Sequence, residues 1–212
     1  FLVAKGDQTL AFTSTLAAFV ATGSTYNAVA TAPSGLTVVF TIDASSTSGC
    51  SVVGSVVTFN SPIGTCVIDA NQPGDANWNP APQMQQSTSV LDPPNAVDDS
   101  DTATGNVQIS VAANGVLGND SGTSISVTAF DAASTNGGTV VVNGDGSYSY
   151  DPPANFTGSD TFTYTIDNAL NQPSIGTVTL TVKDRVIVVA SGGTGNCKPA
   201  TPCAMSTADG LA

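Results

Sequence analysis

Residues 161–166 (TFTYTI) and 177–182 (TVTLTV) decide the fold. In both segments an apolar side chain follows each threonine, so one face of the extended chain is apolar and the other carries hydroxyl groups. This alternation is typical of β-strands that bury one face against a core and expose the other to water. Each segment is therefore predicted to be a half-buried strand of a sheet.

Alternating runs of the same kind recur along the chain at a spacing of roughly 8–12 residues, with turn residues between them. In the first half the predicted strands are residues 9–13, 25–31, 36–43, 51–53, 56–60, 65–70 and 83–90. In the second half they are residues 107–111, 124–130, 139–142, 147–150, 161–166 and 176–182. This rhythm predicts an all-β fold made of two tandem antiparallel sandwiches.

The sequence Asp92-Pro93-Pro94-Asn95 marks the predicted joint between the two sandwiches. Because proline donates no ladder hydrogen bond and has a fixed φ, this joint is expected to be short and stiff. The predicted segments are an initial strand at 1–5, a first sandwich at 6–91, a linker at 92–95, a second sandwich at 96–183 and the start of a further domain at 184–212. The chain begins at Phe1 without the features of a signal peptide, so we interpret it as a mature or excised segment.

The composition argues against several classes of chemistry. All 16 acidic residues are aspartates, there is no histidine, and 4 basic residues leave a net charge of −12. Without histidine the chain has neither a Ser-His-Asp nucleophile nor an HExxH zinc site. Nucleic-acid binding is not expected, because it needs clustered lysine and arginine. No apolar run is long enough for a transmembrane helix. No pair of aspartates carries a catalytic motif, so we expect a protein that is not an enzyme.

Four cysteines fall in two close pairs, Cys50 with Cys66 and Cys197 with Cys203. Neither pair has CxxC spacing, and no histidine is available to complete a zinc site. Two disulfides are the simplest interpretation and predict an oxidising, extracytoplasmic setting, whereas two pairs of buried free thiols are the alternative. The strand pattern places Cys50 and Cys66 near the same end of a sheet, and their bridge is worth about 3 kcal/mol in the chain-entropy model.

Longer strings resemble two families of bacterial surface repeats. Residues 6–91 resemble bacterial Ig-like repeats in GDQTLAFTST, SGLTVVFTIDASSTSGC and GTCVIDANQPGDANWNPAP. Residues 93–182 resemble the cadherin-like bacterial Ig-type repeats of long adhesins in PPNAVDDS, NGVLGND and GGTVVVNGDGSYSYDPPANFTGSDTFTYTI. The resemblance implies tandem β-sandwiches in an extracellular or cell-surface protein whose partners are neighbouring domains or copies of itself.

The two ends of the chain carry further expectations. Residues 186–212 (VIVVASGGTGNCKPATPCAMSTADGLA) resemble the amino-terminal cap of a right-handed parallel β-helix. The predicted elements are a strand at 185–190, a tethered loop at 191–203 and a helix beginning within 204–212. In tandem arrays of the resembling Ig-like repeats, a string such as FLVAK closes the preceding repeat. Its residues, Phe1, Leu2, Val3, Ala4 and Lys5, are therefore either an orphan strand that adds to a neighbour's sheet edge or the first strand of this sandwich.

Aspartates cluster in the second predicted sandwich, with Asp98, Asp99 and Asp101 at its start, Asp120 in a loop and Asp160 before a strand. The candidate metal ligands among them are Asp98, Asp99, Asp101 and Asp120. Calcium takes about six to eight oxygen ligands, and the resembling repeats include calcium-dependent members, so a Ca²⁺ site near Asp98 and Asp99 is one hypothesis. The acidic insertion that often follows the NGVLxND motif in that family is missing here. The alternative is that these aspartates cap turns and keep an acidic surface soluble.

The function predicted from these features is a non-catalytic stalk segment of an adhesin-like surface protein. One alternative is a subunit of an extracellular filament that assembles by strand addition through residues 1–5. A second is a module that binds carbohydrate or a host surface through its loops. Trp78 bears on this last hypothesis, because an aromatic side chain in such a loop either stacks on a sugar or packs against its own sandwich.

Overall fold

The computed structural model describes residues 4–185, together with the backbone of residues 194–198 and 201–203. The chain divides into two compact units, which we call the first unit (Phe1–Pro93) and the second unit (Pro94–Ala212). Within the described residues, a 3₁₀ turn at Gly115–Leu117 is the only helical element, and the remaining regular elements are strands. The predicted all-β fold is confirmed.

The first unit contains two sheets that pack on each other. Its strands are β1 (Ala11–Phe12), β2 (Phe19–Ala21), β3 (Thr25–Asn27), β4 (Ala30–Thr31), β5 (Val39–Ile42), β6 (Ser51–Val53), β7 (Val56–Thr58), β8 (Gly64–Asn71) and β9 (Met84–Leu91). One sheet has the order β2-β9-β8-β5 and the other β3-β7-β6, while β1 pairs with β4 separately. The buried cluster between the sheets includes Val57 and Phe59 from one side and Cys66, Ile68 and Val90 from the other.

The second unit is also a two-sheet sandwich. Its strands are β10 (Asp99–Gly105), β11 (Ile109–Val111), β12 (Ser126–Phe130), β13 (Thr139–Val142), β14 (Tyr148–Asp151), β15 (Gly158–Asp167) and β16 (Ser174–Arg185). The sheets have the orders β10-β16-β15-β12 and β11-β14-β13. The apolar positions of TFTYTI and TVTLTV lie in β15 and β16 and are all at most 2% exposed, as their alternation predicts.

The two units share one topology. In each, a four-stranded sheet places an early strand parallel to the last strand, β2 beside β9 and β10 beside β16. The remaining ladders of both sandwiches are antiparallel, and each three-stranded sheet has the same internal order. Seven strands therefore correspond one to one between the units, in the two-sheet arrangement of an Ig-like sandwich.

Two strands of the sandwiches are missing from the prediction, and both are the parallel edge strands. β2 contains only three residues, and β10 has the polar sequence DSDTATG, which lacks the alternation of apolar residues used to predict strands. In the tail, Thr194–Lys198 (β17) and Thr201–Cys203 (β18) form a two-stranded antiparallel sheet, so the prediction of a loop is wrong for these residues. Arg185 ends β16, and the rest of the predicted strand at 185–190 and the predicted helix within 204–212 lie outside the described residues.

Candidate functional site

The four aspartates predicted to bind calcium lie in or beside β10 and in the turn that precedes β12. Asp99 and Asp101 belong to β10, Asp98 comes directly before it, and Asp120 follows the 3₁₀ turn. Because Asp99, Asp101 and Ala103 alternate along one strand, they face the same side, and Ala103 is buried. The fold therefore directs two of the four carboxylates toward the interior of the domain.

Tyr164 is fully buried, and its hydroxyl group lies among these residues. The hydroxyl oxygen is 3.0 Å from the carbonyl oxygen of Val116, 3.1 Å from that of Val97 and 3.1 Å from Asp120 Oδ1. Burial raises the pKa of this hydroxyl, and the nearby carboxylates of Asp99 and Asp120 raise it further. Tyr164 therefore stays protonated and serves as a hydrogen-bond donor inside the sandwich.

Asp98 and Asp120 accept hydrogen bonds from backbone amides. Asp98 Oδ1 accepts from the N–H of Thr177 at 2.8 Å, and Asp120 Oδ1 accepts from the N–H of Val97 at 2.7 Å. The side-chain amide of Asn119 donates to the carbonyl oxygens of Val97 and Asp98 at 3.2 and 3.1 Å. These bonds fasten the chain before β10 to β16 and to the turn before β12.

Asp99 is the exception in this group, because its Oδ2 atom is buried without a hydrogen-bond partner in the described part of the chain. Burial raises the pKa of the Asp99 carboxyl, the negative charge of Asp120 adds to the rise, and the Tyr164 hydroxyl opposes it. The ionised form of Asp99 is therefore poorly stabilised at this position.

The four aspartates are not arranged as a calcium coordination site. Calcium takes about six to eight oxygen ligands, yet no three acidic, cysteine or histidine side chains of the described residues are placed to hold a metal ion together. Asp101 is engaged elsewhere, because its Oδ2 accepts a hydrogen bond from the Tyr148 hydroxyl at 2.8 Å. The calcium site stays a prediction, and the contacts favour the alternative interpretation, in which these aspartates brace turns and strand ends.

Three buried tyrosines of the second unit each place the hydroxyl group on a carboxylate. The pairs are Tyr148 with Asp101, Tyr150 with Asp160 and Tyr164 with Asp120. Burial raises the pKa of the Tyr148 and Tyr150 hydroxyls, and the carboxylates that they contact raise it further. Each tyrosine therefore remains a donor to a charged acceptor, which makes a stronger hydrogen bond than a neutral pair.

Asp160, only 1% exposed, is the centre of a hydrogen-bond network, whereas the sequence indicates only that it belongs to the aspartate cluster. Its Oδ2 accepts from Ser134 Oγ at 2.6 Å and from the Tyr150 hydroxyl at 2.7 Å. Its Oδ1 accepts from the backbone N–H groups of Asn136 and Thr161, both at 2.9 Å. Burial by itself would raise the pKa of Asp160, but the hydrogen bonds outweigh burial and lower it. A charged carboxylate thus joins the turn before β13 to β14 and β15.

A signal for the burial of Asp160 is present in the sequence. In DTFTYTI, Asp160 is two residues from Phe162 and four from Tyr164, so the strand period places all three on one face. Its side-chain donor Ser134 carries no such signal, because it lies 26 residues away along the chain and reaches Asp160 only through the fold.

In the first unit, Trp78 lies against the backbone of Gly6. The N–H of Gly6 donates to the carbonyl of Asn77, and the N–H of Asn79 donates to the carbonyl of Gly6, both at 2.8 Å. A Cβ atom added at Gly6 would lie 2.9 Å from the Trp78 ring, and the tryptophan side chain is half-buried. These contacts favour the packing interpretation of Trp78 over a sugar-stacking role.

The strand-addition hypothesis rests on residues of which the structure describes two. Phe1, Leu2 and Val3 lie outside the described residues. Ala4 and Lys5 are exposed and outside any strand, and Lys5 Nζ donates to the carbonyl oxygen of Asp75 at 2.6 Å. The hypothesis stays a prediction.

The predicted Cys50–Cys66 disulfide is confirmed, with a Cα–Cα distance of 6.1 Å. Cys50 directly precedes β6 in the three-stranded sheet, whereas Cys66 lies in β8 of the four-stranded sheet. The bridge therefore crosses the sandwich from one sheet to the other, and does not join two regions at the end of one sheet. The side chains of Cys197 and Cys203 lie outside the described residues.

A family model described as the bacterial Ig domain matches residues 91–181, which include β10 to β15 and most of β16. Residues 91–181 form an Ig-like domain. No curated protein matches the chain. Across the residues that the structure describes, no helix has the length and apolar character needed to cross a membrane.

Several solved structures are similar to this chain. An I-band fragment of titin is 15% identical, with a TM-score of 0.39, over 83% of this chain and 65% of the fragment. A four-domain immunoglobulin fragment of Sidekick-1 is 14% identical, with a TM-score of 0.41, over 86% of this chain and 51% of the fragment. Human protocadherin-24 EC1-2 is 14% identical, with a TM-score of 0.31, over 82% of this chain and 97% of that one. The chain spans less than two thirds of the first two structures.

Proposed function

We propose that the chain is a non-catalytic structural segment of a secreted or cell-surface bacterial protein, serving as an adhesin-like spacer. The observation that carries this proposal is that carboxylates of the second unit are occupied by hydrogen bonds within their own domain. Asp101, Asp120 and Asp160 each accept hydrogen bonds from donors of their own domain. A carboxylate held by fixed donors in a packed sandwich contributes rigidity and is not directed at a substrate.

The match of residues 91–181 to the bacterial Ig domain supports a structural role for the second unit. The Cys50–Cys66 disulfide supports a location outside the cytoplasm, because disulfides persist in oxidising compartments. We extend the proposal to the first unit because its seven corresponding strands have the same order. The neighbours of such a spacer are further domains of the same polypeptide.

Light scattering on the whole chain tests the proposal, with parallel samples in calcium and in chelator. A spacer is expected to give a single species at the monomer mass of 21.0 kDa in both samples. Large species of mixed length would contradict it and would favour the filament alternative. In that case Val3→Asp or deletion of residues 1–5 should abolish the polymers, and loss of the polymers in chelator would implicate calcium.

A glycan array separates the spacer from a carbohydrate-binding module. The expected result is no specific signal from the purified chain. A signal that disappears in a folded Trp78→Ala variant would contradict the spacer proposal. The matched variant Trp78→Phe keeps an aromatic ring against Gly6, so it distinguishes loss of a binding surface from loss of packing.

A further inference from the structure

We propose that Asn143 is a site of spontaneous deamidation, selected by the fold from three Asn-Gly pairs in the second unit. Asn143 and Gly144 open the hairpin loop Asn143-Gly144-Asp145-Gly146 between β13 and β14, and both residues are exposed. Glycine lacks a Cβ atom, so its backbone nitrogen can approach the preceding asparagine side chain with little steric hindrance. The sequence offers this feature at three places, and the backbone hydrogen bonds distinguish them.

The three pairs differ in what the glycine N–H does. In Asn114-Gly115 it donates to the carbonyl of Ala112 at 3.0 Å, and in Asn136-Gly137 it donates to the carbonyl of Ser134 at 2.9 Å. In Asn143-Gly144 the glycine N–H donates to no acceptor among the described residues. The nitrogen that must become the nucleophile is therefore restrained at two pairs and unrestrained at Asn143-Gly144.

The reaction needs only water and base. Base removes the proton of Gly144 N, which then bonds to Cγ of Asn143. The Cγ–Nδ2 bond breaks, and Nδ2 takes up a proton and leaves as ammonia. Water next adds to either carbonyl of the resulting cyclic imide, which opens to aspartate or to isoaspartate.

Deamidation would weaken the loop in which it occurs. Asn143 Nδ2 donates to Ser147 Oγ at 2.9 Å, and a carboxylate at this position has no proton to donate. The new negative charge would also lie two residues from Asp145, whose carboxylate accepts from both the N–H and the hydroxyl of Ser147. A secreted module would thus acquire, with age, a more acidic and less tightly held hairpin at the edge of the β11-β14-β13 sheet.

The test is to incubate the whole chain in mildly alkaline buffer and to follow each asparagine by peptide mapping. Chymotrypsin places Asn136 and Asn143 in one peptide, between Phe130 and Tyr148, so tandem mass spectrometry compares the two sites in the same molecule. We expect Asn143 to exchange its amide nitrogen for oxygen about ten-fold faster than Asn114 or Asn136, because no glycine hydrogen bond must break first. Isoaspartate should appear at Asn143 in parallel.

Two controls show whether the fold makes the selection. In denaturing urea the three pairs should react at similar rates, so the preference for Asn143 should be lost. Gly144→Ala should suppress the reaction while keeping the turn, because an added Cβ would contact only the Val127 carbonyl oxygen, at 3.8 Å. Equal rates at the three sites of the folded chain, or an equally strong preference for Asn143 in urea, would overturn the proposal.

Discussion

The two units share a strand order but are stabilised in different ways. The main buried cluster of the first unit contains 6 residues, and a disulfide links its two sheets. The corresponding cluster of the second unit contains 12 residues, and the sequence has no cysteine between residues 94 and 185. A covalent bridge thus compensates for a small core in one sandwich, whereas the other relies on burial.

The polar contacts of the two cores also differ, because their tyrosine hydroxyls have different acceptors. In the first unit the half-buried Tyr26 donates its hydroxyl to the neutral amide oxygen of Gln86 at 2.8 Å. In the second unit the three buried tyrosines contact carboxylates, and Asp160 binds two hydroxyl groups at once. Polar groups at the core of the second unit are therefore more costly to disturb, because a partly satisfied buried network is worse than none.

The largest effect is expected from Asp160→Ala. The substitution leaves the buried hydroxyls of Ser134 and Tyr150 and the partly buried backbone N–H groups of Asn136 and Thr161 without their acceptor. The second unit should therefore lose about 3 kcal/mol of unfolding free energy. Because the folded-state pKa of Asp160 is lowered, its contribution is present above the unfolded-state pKa and is lost as the pH falls through the folded-state value. The difference in unfolding free energy between the wild type and Asp160→Ala should therefore become smaller in acid.

Urea unfolding measures this effect unit by unit. Trp78 is the only tryptophan, so its fluorescence reports on the first unit, while circular dichroism reports on both. Asp160→Asn is the matched variant, since it preserves shape, removes the charge and replaces one acceptor oxygen by an NH2 donor group. In Asp160→Ala, a shift of the urea midpoint seen by tryptophan fluorescence would contradict this account of the network. An unchanged urea midpoint of the second unit would contradict it as well.

The next largest effect is expected in the first unit. Replacing Cys50 and Cys66 together by alanine should lower the stability of the first unit by about 3 kcal/mol, because the unfolded chain loses its crosslink. The tryptophan transition should move to lower urea while the second transition stays in place. Equal movement of both transitions would mean that the bridge does more than stabilise its own sandwich.

A smaller effect is expected where a glycine and an aromatic ring meet across strands. Gly176 of β16 pairs with Tyr164 of β15, and a Cβ atom added at Gly176 would lie 2.5 Å from the tyrosine ring. Gly176→Ala should therefore destabilise the second unit by about 1–3 kcal/mol, as overpacking does elsewhere. Gly144→Ala, in an open loop of the same unit, is the control and should leave its urea midpoint unchanged.

Much of the fold could be predicted from local patterns. The predicted runs at 51–53 and 139–142 coincide with β6 and β13, because both are short valine-rich runs bounded by turn residues. The parallel edge strand β10 could not be predicted this way, since DSDTATG has the composition of a turn. Its pairing with β16, some eighty residues later, supplies the strand conformation, so tertiary contact overrides local preference.

The site shows the same division between local and long-range information. The calcium hypothesis arises because three aspartates lie within four residues, at Asp98, Asp99 and Asp101, and Asp120 follows in a nearby loop. Their observed partners, such as Thr177 for Asp98 and Tyr148 for Asp101, lie 79 and 47 residues away. Chain proximity therefore predicts a cluster, whereas the fold distributes its members among separate donors.

The smallest expected effect is a gain in stability, and it comes from comparing two carboxylates of the second unit. Asp99 and Asp160 are both carboxylates in the same sandwich. Asp160 accepts from five donor groups, whereas one oxygen of Asp99 is buried with no donor among the described residues. Because the folded-state pKa of Asp99 is raised, protonated Asp99 favours folding, and this contribution is lost as the pH rises through the folded-state value. At neutral pH the ionised group is therefore a cost to stability.

Asp99→Asn removes that cost, so it should raise the urea midpoint of the second unit at neutral pH, by up to about 1 kcal/mol of unfolding free energy. The gain should shrink as the pH falls below the ordinary carboxyl range, because wild-type Asp99 is then protonated as well. Asp98→Asn is the matched control: its Oδ1 already accepts from Thr177, so neutralising it should bring no comparable gain. A loss of stability in Asp99→Asn at neutral pH would show that the carboxylate is stabilised by contacts stronger than those described, and the contrast between the two aspartates would fail.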